Sequence, residues 1–525
     1  MLMKDFICEE DYPVVETDKG KIRGFYYNGE FTFRGVPYGQ AKRFHAPVPC
    51  DPWEDVKDCT NYGPVTPTLR SARPSIEVME PHRYWPQGED CQNLNIWTTT
   101  LDENAKKPVF FWIHGGGFSN GNAIELVVYD GYNLAKAADC VVVTVNHRLN
   151  LFGYFDISSL GDEYDNSGNN GQLDLVRALD WVRDNIAKFG GDPDRVTIAG
   201  QSGGGGKVTA LLQMPAADGL FQRAIVISGQ VALHDGETTF SPKEGAAALM
   251  KELGFTNPHD LETVDRATLI AAYNKIRMDP ALRDKISEMP LRNEHFRGCP
   301  LRTGFRPEMI HVPVIIGTNY GEFTCYNSRG LKKSEMTYEE GEQEIIDLVG
   351  EENAKELLDA FKAAYPERNP VDVQFADWLF RVPSVEFAHI RAREGGKIYL
   401  YLFAVDFPIY GGLTAWHGAG LPYLFHNAEL SPITQKDGKG FEIQDKMTAG
   451  LAAFMRTGDP NCPEIGGEWK PVTEDVEQTL IIGDEIRLAD NFDRELMIEI
   501  QKYKEELDNG EIRFDHKFYK KKEKK

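Results

Sequence analysis

Short, almost continuous apolar runs recur along this chain, separated by stretches with helical periodicity. The runs are Val109-Phe-Phe-Trp-Ile113, Cys140-Val-Val-Val-Thr-Val145, Val196-Thr-Ile-Ala199, Ala224-Ile-Val-Ile-Ser228, Val312-Pro-Val-Ile-Ile316 and Ile398-Tyr-Leu-Tyr-Leu-Phe-Ala-Val405. Apolar on successive positions, they read as strands covered on both faces, as in a mainly parallel sheet flanked by helices. Between the second and third lies Asp174 to Phe189, where Leu175, Leu179, Val182, Ile186 and Phe189 recur every three or four residues. That spacing predicts an amphipathic helix, and Gly190-Gly-Asp-Pro-Asp194 supplies the stop. The predicted class is α/β. Residues of about 235–300 and 330–395 read as helix-rich, charged insertions into one domain spanning 1–510. Residues 511–525 read as a basic, frayed C-terminal tail.

Composition narrows the choice of partners. The 525 residues are 41% hydrophobic and 26% charged, enough apolar material for a large core. A formal net charge of −23 argues against nucleic acid or anionic membrane as a partner, since phosphate binding wants a basic surface. The N-terminus turns acidic at Glu9-Glu10 with no apolar leader, and no run approaches the roughly 20 residues of a spanning helix. The eight cysteines include no C-x-x-C pair and no Cys/His cluster at metal spacing, and N-x-S/T is absent. The expectation is a reduced, cytoplasmic protein with no metal and no cofactor, its oligomeric state open.

Chemistry concentrates at Gly200-Gln-Ser202-Gly-Gly204, which follows a strand-like run and precedes helix formers. A G-x-S-x-G turn of this kind forces the serine into strained backbone and presents its oxygen beside a helix N-terminus. Ser202 is therefore the candidate nucleophile. Strand Val109–Ile113 runs into His114-Gly-Gly-Gly-Phe118, a glycine run that can expose N–H groups to an oxyanion. Gly116, Gly117 and Gly203 are the candidate donors. A serine hydroxyl also needs a base and an acid to orient it. His417, in a glycine-rich loop after the last strong strand, is the favoured base over His389 and His426. For the acid, Glu322 just beyond Val312–Ile316 competes with Asp406, and residue chemistry leaves that choice open.

Further segments stand in a fixed order along the chain: Phe33-Arg-Gly-Val-Pro-Tyr38, Glu89-Asp-Cys-Gln-Asn-Leu-Asn95, Val145-Asn-His-Arg-Leu149 and Gly200-Gln-Ser-Gly-Gly204. Gly317-Thr-Asn-Tyr-Gly-Glu322 and His417-Gly-Ala-Gly-Leu-Pro-Tyr423 follow. The resemblance these carry is to the type B carboxylesterases, the family that includes the cholinesterases; it runs from about residue 13 to residue 500 and is to a bacterial intracellular member. It implies an α/β-hydrolase fold, with Ser202, His417 and Glu322 as nucleophile, base and acid, and Gly116, Gly117 and Gly203 as oxyanion donors. It further implies a buried ion pair between Glu89 and Arg148. Several positions depart from the family pattern. Gly203 replaces an alanine, Lys207 a small polar residue, Gly321 an aspartate and Gly420 an acidic residue, so looser loops are expected. Cys91 stands where the family has a disulfide cysteine, but Thr66-Pro67-Thr68 occupies its partner's place, in keeping with a reducing environment. Tyr84, Trp85 and Trp416 are candidates for an aromatic gorge or for core packing.

The expected reaction is hydrolysis of small to medium neutral esters through an acyl-enzyme, with a small-molecule ester as substrate and neither nucleic acid nor membrane as partner. Lipase-like or amidase-like hydrolysis on the same fold is the nearest alternative. A non-catalytic binding module is the other, disfavoured because all three catalytic candidates are present.

Overall fold

The computed structural model describes residues 5–69, 77, 79–230, 242–282, 285–326, 331–435, 438–503 and 507. The proposed basic tail, 511–525, and the start of the first predicted insertion, 235–241, lie outside the described residues.

Twelve strands form the main sheet among the described residues. At its centre Lys107–Ile113 runs parallel to Val141–Val145 on one side and to Gly191–Gln201 on the other. Arg223–Ile227, Val314–Asn319, Ile398–Phe403 and Gln478–Ile482 add in turn, each parallel to its neighbour. Antiparallel strands extend both edges: Asn93–Thr98 beside Val141–Val145, and Ile486–Asp490 beside Gln478–Ile482. This is the α/β-hydrolase fold, with a large, mostly parallel sheet and flanking helices.

The apolar runs do what their pattern requires. In Lys107–Ile113, Phe110 and Trp112 pack into the core on one face of the sheet, while Val109, Phe111 and Ile113 pack into the core on the other. Both faces are therefore covered, and a run without polar alternation is the stable choice. The strand beginning at Val314 starts two residues later than the apolar run, because Pro313 has no N–H to offer the ladder.

The amphipathic pattern of 174–189 forms the helix Asn170–Asn185 and a 3₁₀ turn, Ile186–Phe189, which buries Leu175, Leu179, Val182, Ile186 and Phe189 completely. Gly190 ends it at φ 75°, a conformation that favours glycine. Helices Pro242–Leu253 and Arg266–Met278 occupy the first helix-rich stretch, and Tyr338–Val349, Glu351–Ala364 and Arg381–Arg393 the second.

One ion pair differs from the expectation. Arg148 does not pair with Glu89: its Nε and Nη2 donate to Asp174 at 2.9 and 2.7 Å, and its backbone N–H adds a third bond at 2.9 Å. Glu89 takes the guanidinium of Arg43 instead, at 2.8 and 2.5 Å. Asp174 projects from the buried side of helix Asn170–Asn185, so it reaches Arg148 without water, whereas Glu89 remains partly exposed.

Candidate active site

The four segments singled out by sequence meet at the carboxyl ends of parallel strands of the one sheet, where open α/β sheets collect their reactive groups. Gly115–Gly117 follow strand Lys107–Ile113, Ser202 follows Gly191–Gln201, and Glu322 lies just past Val314–Asn319. His417 lies beyond Ile398–Phe403. Together with Phe323 and Phe380, Gly115–Gly117, Ser202, Gly203 and His417 line one cavity of about 630 Å³.

Ser202 sits at φ 57°, ψ −127°, a conformation costly for any residue with a side chain. Its N–H is anchored on the carbonyl of Ile227 at 2.8 Å, and its own carbonyl accepts from Gly206 at 3.0 Å as helix Gly203–Leu211 begins. The turn closes only because its flanks lack side chains. A Cβ on Gly200 would stand 2.4 Å from Gly204, and one on Gly204 would stand 2.1 Å from the carbonyl oxygen of Ile113.

Gly116 and Gly117 adopt φ 86° and 64°. The carbonyl of Gly116 accepts from the N–H of Asn120 at 2.9 Å, which fixes the peptide plane carrying the Gly117 N–H. Gly203 is the first residue of its helix, so its N–H has no partner within that helix. His114 turns Nδ1 toward the carbonyl of Gly115 at 2.8 Å, within the same loop. Burial, reinforced by the Lys207 ammonium, pushes its imidazole well below the usual range and keeps it neutral.

Glu322 is fully buried, at φ 29°. Its Oε1 accepts from Ser228 Oγ at 2.5 Å and from the Asn319 N–H at 2.7 Å, leaving Oε2 facing His417 Nδ1 at 2.5 Å. The backbones are tied as well, with the His417 N–H donating to the Glu322 carbonyl at 2.9 Å. Phe323 stacks on the imidazole with ring centroids 4.3 Å apart, and Phe380 lies 5.1 Å away. His417 Nε2 is buried and has no hydrogen-bond partner among the described residues.

The competing candidates lie elsewhere. Asp406 is held by Lys333 and Arg368. His389 is engaged by Thr473 and Glu477, and His426 by Thr448. None of the three lines the cavity. Of the aromatic gorge candidates, Tyr84 is exposed and Trp85 sits at the edge of exposure, while Trp416 is buried and donates its indole N–H to Glu80 at 2.6 Å. Burial pushes the Glu80 carboxyl above its ordinary range against the pull of that bond, and Glu125 beside it is raised by burial too.

Sequence reading missed Ser228, Asn319, Phe323 and Phe380. Ser228 ends a predicted strand and Asn319 sits inside the Gly317–Glu322 motif, so position pointed to them, but nothing local said that their groups converge on one carboxylate. The added glycines do not act as looseners. A Cβ at Gly203 would meet Gly117 at 2.1 Å, and one at Gly321 would meet Thr414 Oγ1 at 2.2 Å. They are close-contact positions. Gly420, with nothing nearer than 3.5 Å, has room for a side chain.

Cys91 is buried and forms no disulfide, with the Thr66 hydroxyl 3.2 Å from its sulfur. No described helix is long and apolar enough to cross a membrane.

The model of the carboxylesterase family matches residues 11–500. A para-nitrobenzyl esterase of Bacillus subtilis is 31% identical over 501 residues, covering 91% of this chain and 96% of that protein. A phenmedipham hydrolase of Pseudarthrobacter oxydans is 30% identical, with 90% and 95% covered. Among solved structures, an esterase from the anaerobe Clostridium hathewayi, described as able to hydrolyze aliphatic aromatic polyesters, superimposes with a TM-score of 0.90. It is 42% identical, over 95% of this chain and 100% of its own.

Proposed function

This chain belongs to the carboxylesterase family and is a carboxylic ester hydrolase; we propose that it works through Ser202, His417 and Glu322. His417 Nε2 takes the proton of Ser202 as Oγ attacks the ester carbonyl, forming the C–O bond of a tetrahedral intermediate. Gly116, Gly117 and Gly203 donate their N–H groups to the oxyanion. Collapse breaks the bond to the alcohol oxygen, which leaves with the proton from His417. Water then attacks the acyl-enzyme by the same relay, releasing the acid and restoring Ser202. The observation that carries this reading is the buried His417–Glu322 pair, which leaves His417 Nε2 with no hydrogen-bond partner among the described residues, in the cavity that Ser202 also lines.

The substrates in this reading are small to medium neutral esters, held in the cavity of about 630 Å³ with Phe323 and Phe380 on its wall. Glu80 and Glu125 contribute less negative charge there than two exposed carboxylates would, since burial favours their neutral forms. Residues 1–510 act as one catalytic domain. Cys91, outside any disulfide where the family pattern places one, supports a reducing, cytoplasmic location.

Ser202→Ala tests the reading. The variant is expected to fold normally, to lose p-nitrophenyl acetate hydrolysis, and to escape labelling by an organophosphate that modifies the parent. Near-parental turnover by Ser202→Ala would sink it. A series of p-nitrophenyl esters of increasing acyl length, with an aliphatic aromatic polyester film beside it, then maps the acyl preference.

A further inference from the structure

Lys207 is completely buried in helix Gly203–Leu211, one turn beyond the nucleophile. Among the described residues its Nζ reaches no carboxylate. It donates to the carbonyl of Gly117 at 2.8 Å, and the His114 carbonyl lies 3.5 Å away. The Phe118 ring lies 5.4 Å from Nζ, so residues of the glycine loop surround one amine. Burial pulls that amine down from 10.5 to about 7, and it donates to the Gly117 carbonyl in either protonation state. Burying an ammonium is costly unless its donors are used. Here the donors are spent on the backbone of the segment that carries the candidate oxyanion groups.

A second observation converges on the same carbonyl. The Gly117 oxygen held by Lys207 is the atom that a Cβ at Gly203 would strike at 2.1 Å, with Gly117 Cα at 2.4 Å. Both partners are backbone, so neither can rotate away. The loop therefore occupies space that exists only because residue 203 has no side chain. Lys207 ties it there from the far end of the first helical turn.

We propose that Lys207 and Gly203 form one device that seats the oxyanion loop against the nucleophile turn, with Lys207 as a positioning residue holding the Gly117 carbonyl and Gly203 as the gap that Gly117 enters. This rests on the proposed role of Ser202 and the loop, and it explains why a lysine and an extra glycine occur together. Lys207 touches no substrate. Its effect falls on the step where negative charge develops, so it lowers the barrier without changing ground-state binding.

Lys207→Met keeps the length of the side chain and removes the ammonium. The expected result is a fall in kcat of about 10- to 100-fold with KM within about twofold, below the loss typical of deleting an oxyanion donor outright. Gly203→Ala is expected to lower kcat more, by forcing the loop away while Lys207 still holds it. In Gly203→Ala/Lys207→Met the loop is released to make room for the methyl. The double variant is therefore expected to be at least about tenfold faster than the product of the single losses. Folding is followed in each by circular dichroism and thermal unfolding. Unchanged kcat in folded Lys207→Met, or strictly multiplicative losses, overturns the proposal. So does failure of both Lys207→Met and Lys207→Gln to fold, which would make the lysine a folding element. Ser202→Ala separates this from the function itself. If that variant stays active, the site assignment fails; if it is inactive and Lys207→Met is not impaired, only the positioning role fails.

Discussion

His417 Nδ1 lies 2.5 Å from Glu322 Oε2, while the other oxygen of the same carboxylate is occupied by Ser228 Oγ and the Asn319 N–H. A carboxylate with one oxygen saturated and the other aimed at an imidazole can turn neither away nor toward solvent. It fixes the tautomer that leaves Nε2 free to accept a proton.

Glu322→Gln preserves shape but loses the charge that stabilises the imidazolium. The expected outcome is a fall in kcat of about 10³- to 10⁴-fold with an intact fold, read from p-nitrophenyl acetate hydrolysis and circular dichroism. Asp406→Asn, in the Lys333–Arg368 cluster, is expected to leave kcat within about threefold when the folded fraction is matched. A larger loss with Asp406→Asn than with Glu322→Gln would reverse the assignment of the acid.

Arg148 and Asp174 form a pair sealed from water, whereas Arg43 and Glu89 meet nearer the surface. Removing one member of a sealed pair strands a charge. Asp174→Ala is expected to destabilise the protein by about 3–5 kcal/mol in urea unfolding. Glu89→Ala, whose carboxylate is partly hydrated, is expected to cost about 1 kcal/mol or less. Equal losses would show that burial does not distinguish the two.

Glu30 is fully buried at the start of strand Glu30–Pro37, and neither carboxyl oxygen has a hydrogen-bond partner among the described residues. Burial first, then the nearby Asp130, pushes its carboxyl up to about 10. The folded chain therefore keeps a proton that the unfolded chain releases above its ordinary value of 4.5, and stability from this group falls as pH rises from there. Glu30→Met removes the penalty. It is expected to raise unfolding stability by about 1–3 kcal/mol near pH 7, with a smaller gain near pH 5. A gain independent of pH would mean that the carboxyl is not held neutral.

His114 and His147 are buried with ring centroids 4.8 Å apart, and burial drives both imidazoles well below the ordinary value of 6.5, with the Lys207 ammonium adding to it. Both are neutral in the folded chain while the unfolded chain takes up protons below pH 6.5. Stability is therefore expected to decline as pH falls through that value, by up to about 1.4 kcal/mol per pH unit for each histidine. His147→Gln should flatten the slope by one proton's worth. Parallel pH profiles for parent and variant would place the acid lability elsewhere.

Sequence by itself determined the local parts. Apolar runs without alternation specify strands covered on both faces, and a 3.6-residue repeat ending in glycine specifies the helix before the nucleophile turn. Glycines at fixed offsets around Ser202 specify a backbone that only they allow. These are properties of neighbours in the chain, so a short stretch encodes them. Tertiary packing decided which distant groups face one another. Glu322 meets a histidine 95 residues further on, and Arg148 meets Asp174 rather than Glu89. Lys207 meets the carbonyl of Gly117, 90 residues upstream, through a gap at Gly203. A hydrogen bond or ion pair depends on positions to within tenths of an ångström and on the exclusion of water. Both come from the assembled sheet, whose strand ends bring the four segments to one cavity.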